Sequence, residues 1–208
     1  MTAARFLLPL AALLLSASAA PLARSPLERA VLDEINFARA NPQAYAARLK
    51  TYRGYFQGRI VRYPGNPNGL ITTEGVAAVD EAIAFLEKQQ PLPPIAHSDL
   101  LALAAADHVR EQGPRGVTGH ESADGGRAGV RVARRGGGAY VAETITYGPP
   151  SGTEVVRQLI VDDGVKDRGH RRTVFAAELR FAGAGCGPHK VYRTMCVVNF
   201  GRKADGRP

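Results

Sequence analysis

Two neighbouring segments near the end of the chain constrain its fold most, because both have strand-forming composition and only a turn separates them. They are residues 181–187 and 192–200, and the turn formers Gly187-Pro188 lie between their centres. Strands this close in sequence can pair as an antiparallel hairpin. A third strand is predicted over residues 140–147, directly after a run of three glycines. The chain therefore needs a sheet, but a small one.

Apolar residues at helical spacing dominate the rest of the chain. Ser25-Pro26-Leu27-Glu28 combines a capping box with proline at the first helical position, a pattern typical of a helix start. Residues 54–72 contain many glycines and prolines and are predicted to form a long, turn-rich loop. Helices are predicted over residues 25–41, 43–50, 73–89, 98–112, 127–135 and 153–163.

The order of these elements predicts an α+β fold, in which helices pack on a small antiparallel sheet. The chain has 208 residues, of which 45% are hydrophobic, and this is enough for one domain with a sizeable core. No internal repeat or low-complexity linker interrupts the sequence. We therefore predict a single domain over residues 25–202.

The first twenty residues have the pattern of a secretory signal peptide. Arg5 supplies a positive charge, an apolar run covers residues 6–15, and small residues follow up to Ala20. We predict that residues 1–19 are removed, with cleavage after Ala19 or after Ala20. An uncleaved membrane anchor is the alternative, although the run is too short to span a bilayer of ~30 Å as a helix. The mature chain is expected to be secreted or periplasmic.

Cys186 and Cys196 are the two cysteines of the chain. Export favours a disulfide between them, which would close the terminal hairpin. On the chain-entropy model, a loop of this size stabilises the fold by about 3 kcal/mol at most. Two buried free thiols are the alternative.

The formal net charge of +8 favours anionic partners without indicating a fold. Four arginines, Arg127, Arg131, Arg134 and Arg135, form a cluster that could contact an anionic envelope surface or lipid. A solvated protein surface is the alternative interpretation. Nucleic acid is not an expected partner, because the chain is predicted to be exported and no aromatic residues for base stacking interleave the cluster.

Two of the five histidines lie beside glycines in polar segments that are predicted to be loops. These are His120, within residues 119–126, and His170, within residues 168–172. Glycine lets the backbone turn tightly there, so that an imidazole can face open space. His108 lies on a partly apolar helix face and is predicted to be structural and hydrogen-bonded, whereas His97 and His189 are interpreted as surface or capping residues.

Carboxylates could complete a site with these imidazoles. Glu143 lies within an apolar predicted strand, and Asp162 and Asp163 lie near the end of a predicted helix. A carboxylate beside an imidazole can serve as an acid–base couple, or it can orient a metal-ligating histidine. An ordinary exposed strand residue is the alternative interpretation of Glu143.

The chain from about residue 27 to residue 200 resembles the CAP superfamily of secreted proteins, also called the SCP or pathogenesis-related-1 type, and especially its bacterial members. The order and spacing of several short motifs carry this resemblance. They are NFARANP at 36–42, AAADH at 104–108, GHES at 119–122 with DG at 124–125, AETI at 142–145, GHRR at 169–172 and GAGCG at 183–187.

The resemblance implies a three-layer α-β-α sandwich with a surface cleft. Two histidines and two acids line that cleft in the family, and the matching residues here are His120, Glu143, Asp162 and His170. Asp162 stands where the family has glutamate, so that Asp163 is an alternative for the fourth position. Thr144 also stands where the family usually has asparagine.

These residues predict three functions. Two neutral imidazoles, His120 and His170, suit an open site for Zn²⁺ or another divalent cation, and the acids would orient the rings. We therefore expect a secreted binding module for a metal or a small ligand. A metal- or His/Glu-dependent hydrolase is one alternative, in which Ser122 is a poor nucleophile candidate because it does not complete a triad. An envelope- or lipid-associated binding protein is the other.

Overall fold

The structure is a computed structural model that describes residues 24–64 and 66–208. The predicted signal peptide, residues 1–19, lies outside the described residues. The described helices are α1 (Pro26–Ala40), α2 (Pro42–Arg53), α3 (Val76–Lys88), α4 (Asp99–Arg115), α5 (Ala128–Arg134), α6 (Gly152–Val161) and α7 (Gly169–Val174). The described strands are β1 (Phe56–Gln57), β2 (Ile60–Tyr63), β3 (Asn66–Ile71), β4 (Ala96–His97), β5 (Val141–Tyr147), β6 (Phe181–His189) and β7 (Arg193–Gly201).

The terminal hairpin is the centre of the main sheet. Strands β6 and β7 pair antiparallel, and β5 pairs antiparallel with the other edge of β7. The two-residue strand β4 adds to the outer edge of β6 in parallel, which gives the order β4-β6-β7-β5. Cys186 and Cys196 lie directly opposite each other in the hairpin and form a disulfide. The predicted hairpin and its disulfide are confirmed.

Helices cover both faces of this sheet, and alternate residues of β7 divide the core between them. Cys196, Val198 and Phe200 pack on the side of α1, α2, α3 and α6. Met195 and Val197 face the opposite side, where α4 lies. Since successive strand residues point to opposite faces, one strand supplies both interfaces. The predicted α+β fold is confirmed, and the helices and the sheet form three layers.

Helix α4 approaches the sheet closely because glycines of β6 lie beneath it. A Cβ atom on Gly183 would lie 2.0 Å from the backbone nitrogen of Ala102, and one on Gly185 would lie 2.5 Å from that of Ala106. Ala182 and Ala184 alternate with these glycines and face the larger core cluster instead. The alternation of glycine and alanine therefore fixes how deeply α4 packs.

The prediction of a long loop over residues 54–72 is wrong. Strands β1, β2 and β3 form a separate small antiparallel sheet there, in which Ile60 pairs with Ile71. Pro67 lies in β3, an edge strand, where proline need not interrupt the ladder of hydrogen bonds. The prolines and glycines therefore shape the strands and turns of a small sheet.

The predicted end of one helix and one predicted loop also need correction. Helix α4 extends through Pro114 to Arg115, because a proline in the last turn removes only one hydrogen bond. It ends at Gly116, which has a φ of 70°. Residues 169–174, predicted to be a loop around His170, form the short helix α7. Within the described ranges, every helix is too short or too polar to cross a membrane.

Candidate functional site

His120 and Glu143 form a hydrogen-bonded pair. Nδ1 of His120 lies 2.9 Å from Oε1 of Glu143, which belongs to the middle of β5. The Glu143 side chain is 4% exposed, whereas that of His120 is 46% exposed. Because an ionised carboxylate only accepts hydrogen bonds, Nδ1 of His120 is the donor to Glu143, and in the neutral ring Nε2 then has a lone pair.

Buried side chains hold the backbone just before His120. The carbonyl oxygen of Gly119 accepts hydrogen bonds from Nε2 of His108 at 3.0 Å and from Nε2 of Gln112 at 2.8 Å. The amide of Gly119 donates to the hydroxyl of Tyr147, which in turn donates to Gln112. The loop that carries His120 is therefore attached at its base to α4 and β5.

His170 and Asp162 form a second pair of the same kind. Nδ1 of His170 lies 2.7 Å from Oδ1 of Asp162. The backbone amides of His170 and Arg171 donate to Oδ2 of Asp162 at 2.9 and 3.3 Å. Asp162 ends α6 in a left-handed conformation, with a φ of 57°, and this lets its short side chain reach the first turn of α7.

Asp163, the alternative to Asp162, has a different role. Its carboxylate accepts hydrogen bonds from the backbone amides of Thr73 and Glu74, just before α3. It therefore joins α6 to the start of α3 and does not contact His170. The structure favours Asp162 over Asp163 as the acid beside His170.

The two histidine–acid pairs lie next to each other. The ring centroids of His120 and His170 are 6.4 Å apart, and the ring planes are inclined by 34°. The carboxylates of Glu143 and Asp162 lie behind the rings, and their side chains are 4% and 1% exposed. Residues from separate segments of the chain thus form one cluster of two partly exposed imidazoles backed by two buried acids.

Arg131 of α5 contacts both members of the first pair. Its NH2 group donates to Oε2 of Glu143, and its NH1 group donates to the carbonyl oxygen of His120 at 3.1 Å. NH1 also donates to Oγ of Ser122 and to the carbonyl oxygen of Gly126, each at 3.0 Å. The Arg131 side chain is 3% exposed, so it is an internal residue of the site.

The other three arginines of the predicted basic cluster lie at the surface and are paired with acids. Arg127 pairs with Glu121, and Arg134 pairs with Asp124. Arg135 pairs with Asp107, and the guanidinium holds the pKa of that carboxyl below its usual value. The positive charge of this segment is therefore largely compensated by neighbouring carboxylates.

The remaining histidines lie outside the two pairs. His108 is fully buried, as the sequence predicts for a structural residue, and burial lowers its pKa. His97 contacts Asp99 beside the start of α4. His189, predicted to be a surface or capping residue, is 3% exposed, and its Nδ1 accepts the amides of Val191 and Tyr192 in the hairpin turn. Its capping role is observed, but it is not a surface residue.

A cavity of about 260 Å³ lies beside Arg131 and does not include either imidazole. It lies between α4, α5 and the loop before α5. Its lining consists of Asp107, Glu111, Ser122, Ala123, Asp124, Arg131 and Arg134. Because these acids and arginines pair with one another or with neighbours, the cavity does not change the assignment of the site to the two histidine–acid pairs.

The set of metal-binding groups in the two pairs is small. Within residues 24–64 and 66–208, no group of three or more His, Cys, Asp or Glu residues is arranged to hold a metal ion. The two pairs therefore offer two imidazole nitrogens, with the carboxylates already engaged by the rings, by Arg131 and by backbone amides. This composition suits an exchangeable ion rather than a closed structural metal site.

The family model for CAP, the Cysteine-rich secretory protein family, matches residues 32–200. The chain belongs to the CAP family. No protein with a curated description matches this CAP chain.

Two solved structures are similar to the CAP chain. One is an extracellular protein containing an SCP domain from Bacillus anthracis, with 21% identity, a TM-score of 0.45 and coverage of 62% of this chain and 38% of that protein. The other is an outer surface protein from Borrelia burgdorferi, with 17% identity, a TM-score of 0.45 and coverage of 58% of this chain and 86% of that one. The CAP chain thus spans well under half of the Bacillus protein.

In this CAP domain, the internal role of Arg131 differs from the surface role that the sequence predicts. A signal was present, because Ala128, Arg131 and Val132 have helical spacing and all three are buried on α5. The parts played by Gln112 and Tyr147 had no comparable signal. Thr144, which replaces the family's usual asparagine, is fully buried, and because successive strand residues alternate faces it points away from Glu143.

Proposed function

We propose that this CAP protein is an exported module that binds a divalent cation, with Zn²⁺ as the best-suited ion, between His120 and His170. The observation that supports the proposal is the matched hydrogen bonding of the two rings. Nδ1 of each imidazole is hydrogen-bonded to a buried carboxylate, so that in the neutral rings each Nε2 has a lone pair for a ligand. Metal-ligating histidines in proteins commonly have such a carboxylate partner, which fixes the tautomer and makes the ring a better donor.

The spacing of the rings is slightly wider than one shared tetrahedral ion requires. With Zn–N bonds of about 2.0–2.1 Å and tetrahedral geometry, two imidazoles on one ion place their ring centres roughly 5 Å apart. The separation here is 6.4 Å, so that binding of one shared ion would draw the rings about 1 Å closer together. Two protein nitrogens leave the other positions of the ion to water or to a small exogenous ligand. The proposed site would therefore bind metal weakly and keep positions at which a small ligand could bind.

Two further observations support export. A disulfide joins Cys186 and Cys196, and disulfides persist in oxidising compartments. Residues 1–19 have the signal-peptide pattern described above. We propose that the mature protein is secreted or periplasmic.

The geometry gives less support to a serine nucleophile and to an anionic envelope or lipid partner. Oγ of Ser122 accepts a hydrogen bond from Arg131, so this hydroxyl is engaged by a cation rather than by a general base. The surface arginines are paired with acids, which weakens the argument for an anionic envelope or lipid partner. Metal binding is therefore the function that we propose.

Isothermal titration calorimetry with Zn²⁺ at pH 7.5 tests the proposal on mature protein without a histidine tag. The wild type should bind one ion, and the His120→Ala/His170→Ala variant should lose this binding. His97→Ala is the matched control, because His97 contacts Asp99 and lies outside the pairs, so it should behave like the wild type. Equal heats for the wild type and the double variant would reject the proposal.

Acid should release the ion, since a protonated imidazole has no lone pair for a metal. Titrations repeated at pH 7.5 and at pH 5.5 should show a clear loss of affinity at the lower pH. Binding that does not change with pH would indicate carboxylate ligands rather than imidazoles.

A further inference from the structure

Arg131 is unusual among the arginines of its helix, because its guanidinium is buried and bonds to four acceptors. Two of these, Oε2 of Glu143 and the carbonyl oxygen of His120, belong to the first histidine–acid pair. The other two, Oγ of Ser122 and the carbonyl oxygen of Gly126, belong to the loop that follows His120. A buried cation is costly unless it is paired and hydrogen-bonded, and these contacts pair the guanidinium and engage both of its terminal nitrogens, although its Nε has no hydrogen-bond partner among the described residues.

These contacts restrain His120 at both ends. NH1 of Arg131 holds the backbone carbonyl of His120, while NH2 holds one oxygen of Glu143, whose other oxygen accepts the Nδ1 proton of the His120 ring. The planar guanidinium has a fixed geometry, so it sets the position of the backbone relative to the carboxylate. The side chain of His120 is 46% exposed, so neighbouring atoms cover only about half of it.

We propose that Arg131 is the positioning residue of the site: it orients Glu143 so that His120 keeps its proton on Nδ1 and presents Nε2 toward His170. Only the expected effect of Arg131 on metal binding rests on the proposed function. The tautomer of His120 is a property of the protein without metal. Arg131 acts through Glu143 and the loop backbone, to which its hydrogen bonds run.

The second pair provides an internal control. Asp162 is held by the backbone amides of His170 and Arg171, at the start of α7, and among the residues that the structure describes no guanidinium donates a hydrogen bond to its carboxylate. Loss of Arg131 should therefore change the ring of His120 and leave that of His170 unchanged. A substitution that only loosened the whole fold would change both rings.

The first measurement is the tautomer of each histidine by long-range ¹H–¹⁵N correlation NMR on metal-free protein at pH 8. In the wild type, both rings should be protonated on Nδ1. In Arg131→Gln, the His120 signals should move toward those of mixed tautomers, while the His170 signals stay in place. Arg134→Gln, a surface variant of the same helix, is the control and should match the wild type.

Arg131→Lys gives a second, milder variant in case Arg131→Gln does not fold. Lysine keeps the charge beside Glu143 but lacks the fork that reaches the loop carbonyls as well, so the His120 signals should lie between those of the wild type and those of Arg131→Gln. An unchanged His120 tautomer in a folded Arg131 variant would overturn the inference, as would an equal change in His170.

Zn²⁺ calorimetry separates this inference from the proposed function. If both hold, Arg131→Gln should weaken Zn²⁺ binding by at least about 10-fold, the usual effect of losing a residue that orients a ligand, and Arg131→Lys should recover part of it. If the wild type binds no Zn²⁺ but the tautomer still depends on Arg131, the proposed function fails and the inference stands. If Zn²⁺ binding and the tautomer are both independent of Arg131, the inference fails and the proposed function stands.

Discussion

Gly183 of β6 and Ala102 of α4 are in such close contact that a Cβ atom on Gly183 would lie 2.0 Å from the backbone nitrogen of Ala102. Helix α4, which carries His108 and Gln112, therefore packs directly against the sheet. Since these two side chains hold Gly119 beside His120, the packing at Gly183 determines where the His120 loop is anchored.

We expect Gly183→Ala to lower the free energy of unfolding by about 3 kcal/mol, because backbone atoms must move apart to admit the methyl group. Urea denaturation measures the change. Gly54→Ala is the matched control, because Gly54 has a helical conformation and its nearest contact would be 3.3 Å away, so its effect should stay within about 0.5 kcal/mol. Similar effects of both substitutions would contradict the close approach.

The Cys186–Cys196 disulfide should stabilise the domain by about 3 kcal/mol at most, because it closes a short loop and removes conformational entropy from the unfolded chain. The Cys186→Ala/Cys196→Ala variant and the reduced wild type should lose similar stability in urea denaturation. Mass spectrometry of the exported protein, with and without reductant, checks that the bond forms. Two free thiols in that protein would contradict the prediction.

Asp162→Asn should weaken Zn²⁺ binding by roughly 10- to 100-fold, since the amide lacks the charge that orients His170. Asp163→Asn provides a control one residue away, because Asp163 bonds to the amides of Thr73 and Glu74 instead. Calorimetry should show wild-type affinity for this control. An equal loss in the two variants would mean that Asp162 has no special relation to His170.

His108 makes the stability of the fold depend on pH. Burial lowers its pKa in the folded state, so below the ordinary histidine pKa of ~6.5 the unfolded chain binds a proton that the folded chain does not. Stability contributed by His108 is therefore complete above pH ~6.5 and decreases as the pH falls, by at most about 1.4 kcal/mol per pH unit.

The His108→Gln variant tests this dependence, because glutamine can still donate a hydrogen bond toward Gly119 but does not titrate. Urea denaturation at pH 7.5 and pH 5.5 should show a smaller acid-induced loss of stability in the variant than in the wild type. An equal loss in both proteins would show that other groups cause the pH dependence.

Local patterns in the sequence were sufficient for several features of this protein. The capping box at Ser25 does begin α1, and the strand-forming composition around Cys186 and Cys196 does form a hairpin. The structural role of His108 followed from its place on a partly apolar helix face. Such predictions succeed because they depend on interactions between residues that are close in sequence.

Other features depended on contacts that no local pattern contains. Residues 54–72 were predicted to be a loop because proline and glycine usually interrupt strands, but the edge position of β3 tolerates Pro67. Arg131 was grouped with three surface arginines because they share its charge. Its burial depends on Glu143 and on the loop carbonyls, which only the packing of α5 against β5 brings within reach.

The sequence by itself determined the α+β class and the hairpin, because composition and periodicity are properties of short segments, and the order of its motifs predicted His120, Glu143, His170 and either Asp162 or Asp163 as site residues. Only the tertiary structure decided that Asp162 rather than Asp163 contacts His170, that the rings of His120 and His170 lie 6.4 Å apart, and that Arg131 is internal. Side-chain direction at these positions follows from the left-handed turn at Asp162 and from the packing of helices on the sheet, and both require the whole chain to be folded.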